Sequence, residues 1–207
     1  MYSIDFTDDA LEVVNRLIGS IFVYQGKNKP QRFFIITEAE VYKGENDLAC
    51  HCRNGKTPRS KILYEQGGVF YVYLIYGMYH MLNIVTGKQD SPQAILIRGL
   101  QEIVFTPETV ILKTLFDGPG KLTKTIGINK NLNGTPLTAS PHITIIKIDF
   151  PEKTGLVEQA KRVGIEYAEE PWKSIPWRFI FKPKDYEKTY SLYRYHSVLR
   201  QHYFGTT

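Results

Sequence analysis

Between Thr37 and Tyr42 the chain reads T-E-A-E-V-Y, placing two carboxylates and a phenol at alternate positions inside an apolar segment. Residues two apart on a β-strand share a face. One face of residues 33–42 then carries Phe33, Ile35, Thr37, Ala39 and Val41, which suits a core; the other carries Phe34, Ile36, Glu38, Glu40 and Tyr42. Ionised side chains are seldom buried without a partner or a task. A carboxylate among aromatic and apolar neighbours, with its pKa raised by burial, is a base able to take a proton from water. A solvated strand face with routine ion pairs accounts for the same spacing, but the apolar flanks tilt the reading toward a buried site.

Four further groups have chemistry to offer. The run V-F-Y-V-Y-L-I-Y-G-M-Y (69–79) brings Tyr71 and Tyr73 to one strand face and sets Tyr76 beside Gly77 and Met78 at a turn. Strands favour aromatics, so most of this is ordinary β composition. The tip is different: a tyrosine and a methionine there face water unless they enter something, as apolar wedges enter a base stack. Cys50-His51-Cys52 lacks the second ligand pair that a zinc site needs, so His51 reads as a hydrogen-bonding or exposed residue and no metal is expected. G-P-G-K-L (118–122) is not a Walker loop, yet a helix start with Lys121 and Lys124 can offer N–H groups and charge to a phosphate as readily as it can cap a surface helix. Asn83 and Arg98 are polar residues inside apolar strands, usually satisfied structural hydrogen-bonders but notable near one candidate site.

These residues need a scaffold. Residues 7–18 pattern as a helix with Thr7 as cap and Gly19 as stop. Strands are expected at 21–24, 32–42, 69–76, 79–86, 93–100, 143–148 and 177–181, with 69–86 a β-hairpin and 43–60 a polar loop. Helices are expected at 106–116, 119–126 and 155–163, with Pro119 favourable in a first turn. Strands fill the middle and helices lie toward the ends. The expected fold is therefore α+β: a single-domain mixed fold with a central antiparallel curved sheet, a protruding β-hairpin and flanking helices. Residues 182–207, polar and tyrosine-rich, read as a C-terminal extension.

At 207 residues the chain can bury one full core. Its 43% hydrophobic and 23% charged residues are those of an ordinary soluble protein. A net charge of +5 permits a polyanionic partner without demanding one. No apolar run is long enough to span a bilayer, no secretory signal opens the chain, and two adjacent cysteines are no disulfide framework. An intracellular protein is expected.

Taken together, T-E-A-E-V-Y, the loop D-L-A-C-H-C-R-N-G-K-T-P-R (47–59), the hairpin Y-V-Y-L-I-Y-G-M-Y-H-M-L-N-I, the strand A-I-L-I-R, G-P-G-K-L and R-V-G-I (162–165) resemble the alkyladenine (3-methyladenine) DNA glycosylase family of base-excision repair. The likeness runs from about residue 6 to 181. It implies an enzyme that flips alkylated or deaminated purines out of duplex DNA and hydrolyses the N-glycosidic bond, leaving an abasic site. It assigns Glu40, not Glu38, as the base that activates water, with Arg98 helping to hold that water. Tyr42, His51 and Tyr73 would line the base pocket, Asn83 would exclude amino-bearing normal purines, and Tyr76 would fill the gap in the duplex. Met78 and Lys121 would contact DNA. Cys50 and Cys52 stand where the family often has alanine and serine, and His80 where an aromatic is common.

The resemblance also implies a monofunctional enzyme without metal or organic cofactor, since no lysine nucleophile lies on the Glu40 face before Lys43. A monomer working on damaged double-stranded DNA, in a bacterial cytoplasm or a eukaryotic nucleus, follows. Two rival readings are a catalytically silent DNA-binding module and a retaining carbohydrate hydrolase using Glu38 and Glu40. The second needs carboxyls about 5–5.5 Å apart, closer than same-face strand neighbours usually sit.

Overall fold

Two 13-residue strands organise the molecule, and each is long enough to serve different partners along its length. In the computed structural model, which describes residues 4–149, 155–183 and 192–204, these are β2 (Gln31–Lys43) and β5 (Gln93–Phe105). They pair antiparallel along nearly their whole length, from Phe33↔Ile103 to Lys43↔Gln93. The first half of β2 also pairs with β1 (Ile21–Gln25), which in turn carries β7 (Ile143–Ile146). Its second half pairs with β9 (Arg178–Phe181), through Glu38↔Ile180 and Glu40↔Arg178. On the other side, β5 receives β4 (Tyr79–Thr86) at its start and β6 (Val110–Asp117) at its end. The hairpin is completed by β3 (Phe70–Ile75), and β8 (Val157–Ala160) extends β9.

The α+β expectation holds: among the described residues, one curled antiparallel sheet with three α-helices makes a single-domain fold. Helix α1 (Ala10–Leu17) turns Ala10, Val13, Val14 and Leu17 inward, a stripe at helical spacing. Its cap is Asp9, which accepts from the Leu11 N–H, rather than the expected Thr7. Helix α2 (Pro119–Ile126) follows β6 directly, with Pro119 in its first turn. The C-terminal α3 (Tyr193–Phe204) buries Tyr195 and Leu199 completely, and the Tyr195 hydroxyl donates to the Gly19 carbonyl at 2.8 Å. The remainder of 182–207, residues 184–191 and 205–207, lies outside the described residues.

Two helix expectations fail. Residues 110–117 form a strand because Val110, Ile111, Thr114 and Phe116 suit a pleated surface and β5 offers them an unpaired edge; the turn Thr106–Thr109 (Thr106 N–H to Thr109 C=O, 2.9 Å) brings the chain back. Residues 157–160 likewise pair with β9 instead of coiling. A helix there would have placed Val163 in its last turn; the strand ends early and leaves 162–165 as a loop reaching toward β2.

The alternation expected for β2 is interrupted as well. Register shifts at Ile36–Glu38–Ala39 mark a bulge where β2 changes partners from β1 to β9. Phe34 and Ile36, assigned to the chemical face, are fully buried in the same core as Ile35, Ala39 and Val41. Opposite the bulge stands Gly99, where a Cβ would come within 2.7 Å of Thr37 Oγ1 and 2.9 Å of Glu38 Cβ.

Candidate active site

Glu40 lies just past the bulge and is completely buried. Its carboxylate is met from three elements. The Tyr42 hydroxyl donates to Oε2 at 2.8 Å and the Val163 N–H to Oε1 at 2.8 Å. Arg98, from β5, approaches at 3.4 Å from Nε to Oε1 and 3.5 Å from Nη1 to Oε2. The same guanidinium is closer to Glu38, at 2.9 Å, and Arg178 adds a contact to Glu38 at 3.3 Å. The two glutamates are thus not an equivalent pair. Glu38 neutralises two arginines on the outer side, while Glu40 meets Arg98 only through long contacts at the limit of hydrogen bonding.

Burial raises the pKa of Glu40 above the ordinary carboxylate value; Arg98, the Val163 N–H and the Tyr42 hydroxyl pull it back down, and Glu38 pushes it up. A carboxylate balanced between desolvation and three donors is a stronger proton acceptor than an exposed one. The Tyr42 phenol is pushed well above its usual range by burial first and by Glu40 second, so it stays a donor.

Tyr42, Arg98 and Val163 separate Glu40 from a cavity of about 810 Å³, which they line. Its walls are aromatic. The His51 ring packs 4.5 Å from Tyr73 at 70°, and Tyr71 lies 5.2 Å from Tyr73. His51 Nδ1 and the Tyr71 hydroxyl are 2.9 Å apart. Burial, with Arg59 and Arg53 nearby, lowers the His51 pKa to about 4, so the ring is neutral at pH 7. Asn83 faces the same cavity with its amide oriented, Nδ2 donating to the Tyr71 carbonyl (3.1 Å) and the Met81 carbonyl (3.2 Å) across the β3–β4 ladder.

The hairpin tip forms one rim. Tyr76 is 84% exposed and Met78 65%. Tyr76 has φ +52 and Gly77 φ +68. A left-handed backbone costs a non-glycine residue roughly 1–2 kcal/mol, so an exposed tyrosine kept there is a signal of use rather than of packing. Helix α2 braces the hairpin from beside. Gly120 sits so close to Tyr79 that a Cβ would meet its ring at 2.8 Å, and Thr123 Oγ1 donates to the His80 carbonyl at 2.8 Å. This contact carries Lys121 to the cavity rim. The Gly118 N–H bonds the Arg98 carbonyl at 2.9 Å, tying the helix start to β5.

Of the residues assigned to a site from sequence, Tyr42, His51, Tyr73, Tyr76, Asn83, Arg98 and Lys121 line this one cavity, Glu40 lies behind its wall, and Met78 projects from the hairpin tip; Glu38 lies instead at a second cavity beside Thr37 and Gly99. Sequence reasoning did not assign Tyr71, the partner of His51; Arg59, whose guanidinium lies 5.2 Å from the Tyr73 ring; or Val163, whose backbone N–H reaches Glu40. The signal for Val163 was the R-V-G-I run itself, but a backbone donor leaves no trace in residue type. Cys50 and Cys52 are buried free thiols whose sulfurs lie 2.8 Å apart. Among the described residues, no group of three or more His, Cys, Asp or Glu is arranged to hold a metal ion, and no helix is long and apolar enough to cross a membrane.

A cavity with flat aromatic walls over a shielded carboxylate suits a planar heterocycle. Comparison with known proteins makes the chain a DNA glycosylase, a hydrolase of the N-glycosidic bond that acts on DNA. It belongs to the methylpurine-DNA glycosylase (MPG) family, whose match covers residues 4–185. A Clostridium novyi protein provisionally named a 3-methyladenine DNA glycosylase is 39% identical over 196 residues, 87% of this chain and 94% of the other. A Chlamydia abortus protein with the same provisional name is 35% identical over 189 residues, 86% and 95% of the two chains. One from Myxococcus xanthus is 35% identical over 169 residues, 82% and 83%.

Proposed function

We propose that this DNA glycosylase flips a damaged purine, alkylated as in 3-methyladenine or deaminated, out of duplex DNA and hydrolyses its N-glycosidic bond with a water activated by Glu40. The observation that carries this reading is the seat of Glu40: a fully buried carboxylate held by Tyr42, Val163 and Arg98 beneath an aromatic cavity. A base stacked in duplex cannot reach such a floor, so the nucleotide must be extruded, at a cost of a few kcal/mol that is lower for a damaged or mispaired base.

The roles divide by position. Tyr42 and Tyr73 present ring faces to a methylated, positively charged base, worth about 0.5–2 kcal/mol per good contact. Neutral His51 donates or accepts at the edge of the ring, and Asn83 crowds the 2-amino group of guanine. Tyr76 fills the space the extruded nucleotide leaves, with Met78 beside it and Lys121 on a phosphate. As the glycosidic bond breaks, the sugar takes on oxocarbenium character, which ionised Glu40 stabilises while removing the proton of the attacking water. Arg98 orients that water. The products are a free base and an abasic site; no lysine stands on the Glu40 face to open the strand. The enzyme works as a monomer and as one glycosylase domain, whose helix α3 completes the core, and meets its DNA in the cytoplasm.

The test is release of free bases from duplexes carrying methylated, deaminated or etheno-adducted purines, by the unmutated protein and by Glu40→Gln. The expected result is release by the former only, with both binding duplex that contains an abasic-site analogue. No release by the unmutated protein leaves a silent DNA-binding module; unimpaired release by Glu40→Gln removes the base from its assigned role.

A further inference from the structure

Behind the cavity lies an ion pair that the roles above do not use. Asp47 and Arg162 are both without any exposed side-chain surface, and they meet through two parallel hydrogen bonds, Nη1 to Oδ2 at 2.6 Å and Nη2 to Oδ1 at 2.8 Å. Each member also holds backbone. Arg162 Nη1 donates to the Val41 carbonyl at 2.9 Å and Nη2 to the Trp172 carbonyl at 3.1 Å. Asp47 accepts from the Lys43 N–H at 3.1 Å and the Ala49 N–H at 3.0 Å. The guanidinium carbon lies 4.8 Å from the Tyr42 ring and 5.3 Å from the Trp177 ring.

Three segments converge on this pair, and each delivers a group to the active site. Strand β2 carries Glu40 and Tyr42. The loop after it carries Ala49 and His51. The loop after β8 carries Val163, whose N–H bonds Glu40 one residue beyond Arg162. Stability alone does not account for the arrangement. A buried ion pair can often be replaced by apolar residues without loss, and among the described residues Arg162 Nε, a buried donor, has no hydrogen-bond partner, which is itself a cost. What an apolar pair cannot do is hold four backbone groups from three segments in fixed directions.

We propose that Arg162 and Asp47 are positioning residues for base hydrolysis, locking the 162–165 loop so that the Val163 N–H and the Tyr42 ring are held against Glu40. The inference rests on Glu40 being the water-activating base. Neither residue touches the cavity or the reacting atoms. Their effect passes through the Val163 hydrogen bond, one of three donors that offset the burial of Glu40. The charged and titratable groups facing Glu40 are Glu38 and Tyr42 on β2, Arg98 on β5, Tyr73 on β3 and Arg162 itself, with Arg178 of β9 on Glu38.

Asp47→Asn separates positioning from simple electrostatics, because the two predict opposite signs. Removing a negative charge near Glu40, with nothing moved, makes its carboxylate easier to ionise and shifts the acid limb of the pH–rate profile to lower pH. Releasing the loop withdraws the Val163 donor and shifts the limb to higher pH. Single-turnover base release should fall roughly ten- to a hundredfold, the usual consequence of a displacement near 1 Å, with binding to abasic-analogue duplex retained and the acid limb moved up. Arg162→Lys, which keeps the charge but loses the fork, should recover part of the rate relative to Arg162→Met. The double variant Asp47→Leu/Arg162→Met replaces the pair by apolar side chains, leaves neither charge buried alone, and should still lose rate as Asp47→Asn does. An acid limb that moves down, an unchanged rate, or a melting temperature that falls in step with rate in all variants overturns the proposal. Glu40→Gln, measured alongside, tells which idea has failed: if it still releases base, the assignment of Glu40 falls; if it does not, while the Asp47 and Arg162 variants behave as unmutated protein, the positioning role alone falls.

Discussion

The floor of the cavity and the tip of the hairpin are built on opposite principles. Glu40 has no exposed surface and three donors from three elements; Tyr76, at a left-handed backbone position, is 84% exposed. At the floor, folding itself bears the cost of burying a carboxylate, so the site is in place before DNA arrives. Preorganised electrostatics of this kind does not have to be assembled during the reaction. At the tip, backbone strain and aromatic exposure are both carried by the free protein. On the roles proposed above, one end of this enzyme spends stability on chemistry and the other on recognition.

The most severe way to break the contrast is at the floor. Glu40→Gln keeps the shape but exchanges one accepting oxygen for an NH2 donor and cannot take a proton, and base release should fall about 10²–10⁴-fold, the usual worth of a positioned general base. Single-turnover release from an alkylated duplex measures it, and a loss of less than tenfold would place the base elsewhere.

The tip should answer differently. Tyr76→Gly removes the ring and the left-handed strain together, so denaturant midpoints should rise by the equivalent of roughly 1 kcal/mol. Release from fully paired duplex should meanwhile fall about ten- to a hundredfold, the value of one base–aromatic stack. Full activity on duplex would sink the wedge role.

A pH series sharpens the same comparison. Burial holds the Glu40 pKa above the ordinary carboxylate value, and only the ionised form can accept the proton. As pH falls, the rate should therefore decline at a higher pH than an exposed glutamate would give. Affinity for abasic-analogue duplex, which depends on the tip and rim, should not follow that limb. The smallest effect belongs to the rim. Lys121→Gln should weaken DNA binding alike for damaged and undamaged sequences and reduce the slope of log affinity against log salt by about 1.

How much was legible in advance differs by kind of residue. The hairpin Phe70–Ile75 and Tyr79–Thr86, with its tip at Tyr76-Gly77-Met78, could be read almost to the residue. A turn between two β-branched and aromatic runs is a local signal, and its hydrogen bonds close within one short stretch. Helix α2 was equally clear from Pro119 and the spacing of Leu122 and Ile126. The segments 110–117 and 157–160 were misread as helices because their propensities are indifferent and their partners lie elsewhere in the chain. A strand that exists because β5 or β9 has a free edge carries little information of its own.

The site divides along the same line. By itself the sequence determined which side chains are available for chemistry: a glutamate and tyrosine two apart on a strand, aromatics alternating on a hairpin, a lysine at a helix start, an arginine and an asparagine among apolar neighbours. These follow from local periodicity and from the rarity of such residues in apolar runs. The resemblance singled out Glu40 over Glu38, but the physical difference between the two was decided by tertiary structure. The bulge at Ile36–Ala39 and the change of partner from β1 to β9 turn one carboxylate toward Arg98 and Arg178 and enclose the other under Tyr42 and Val163. The Val163 donor is a backbone group, and the Arg162–Asp47 pair that holds it joins residues 115 apart in the chain. Neither periodicity nor composition reaches that far, because hydrogen bonds between distant segments depend on where folding brings them and not on what stands beside them in sequence.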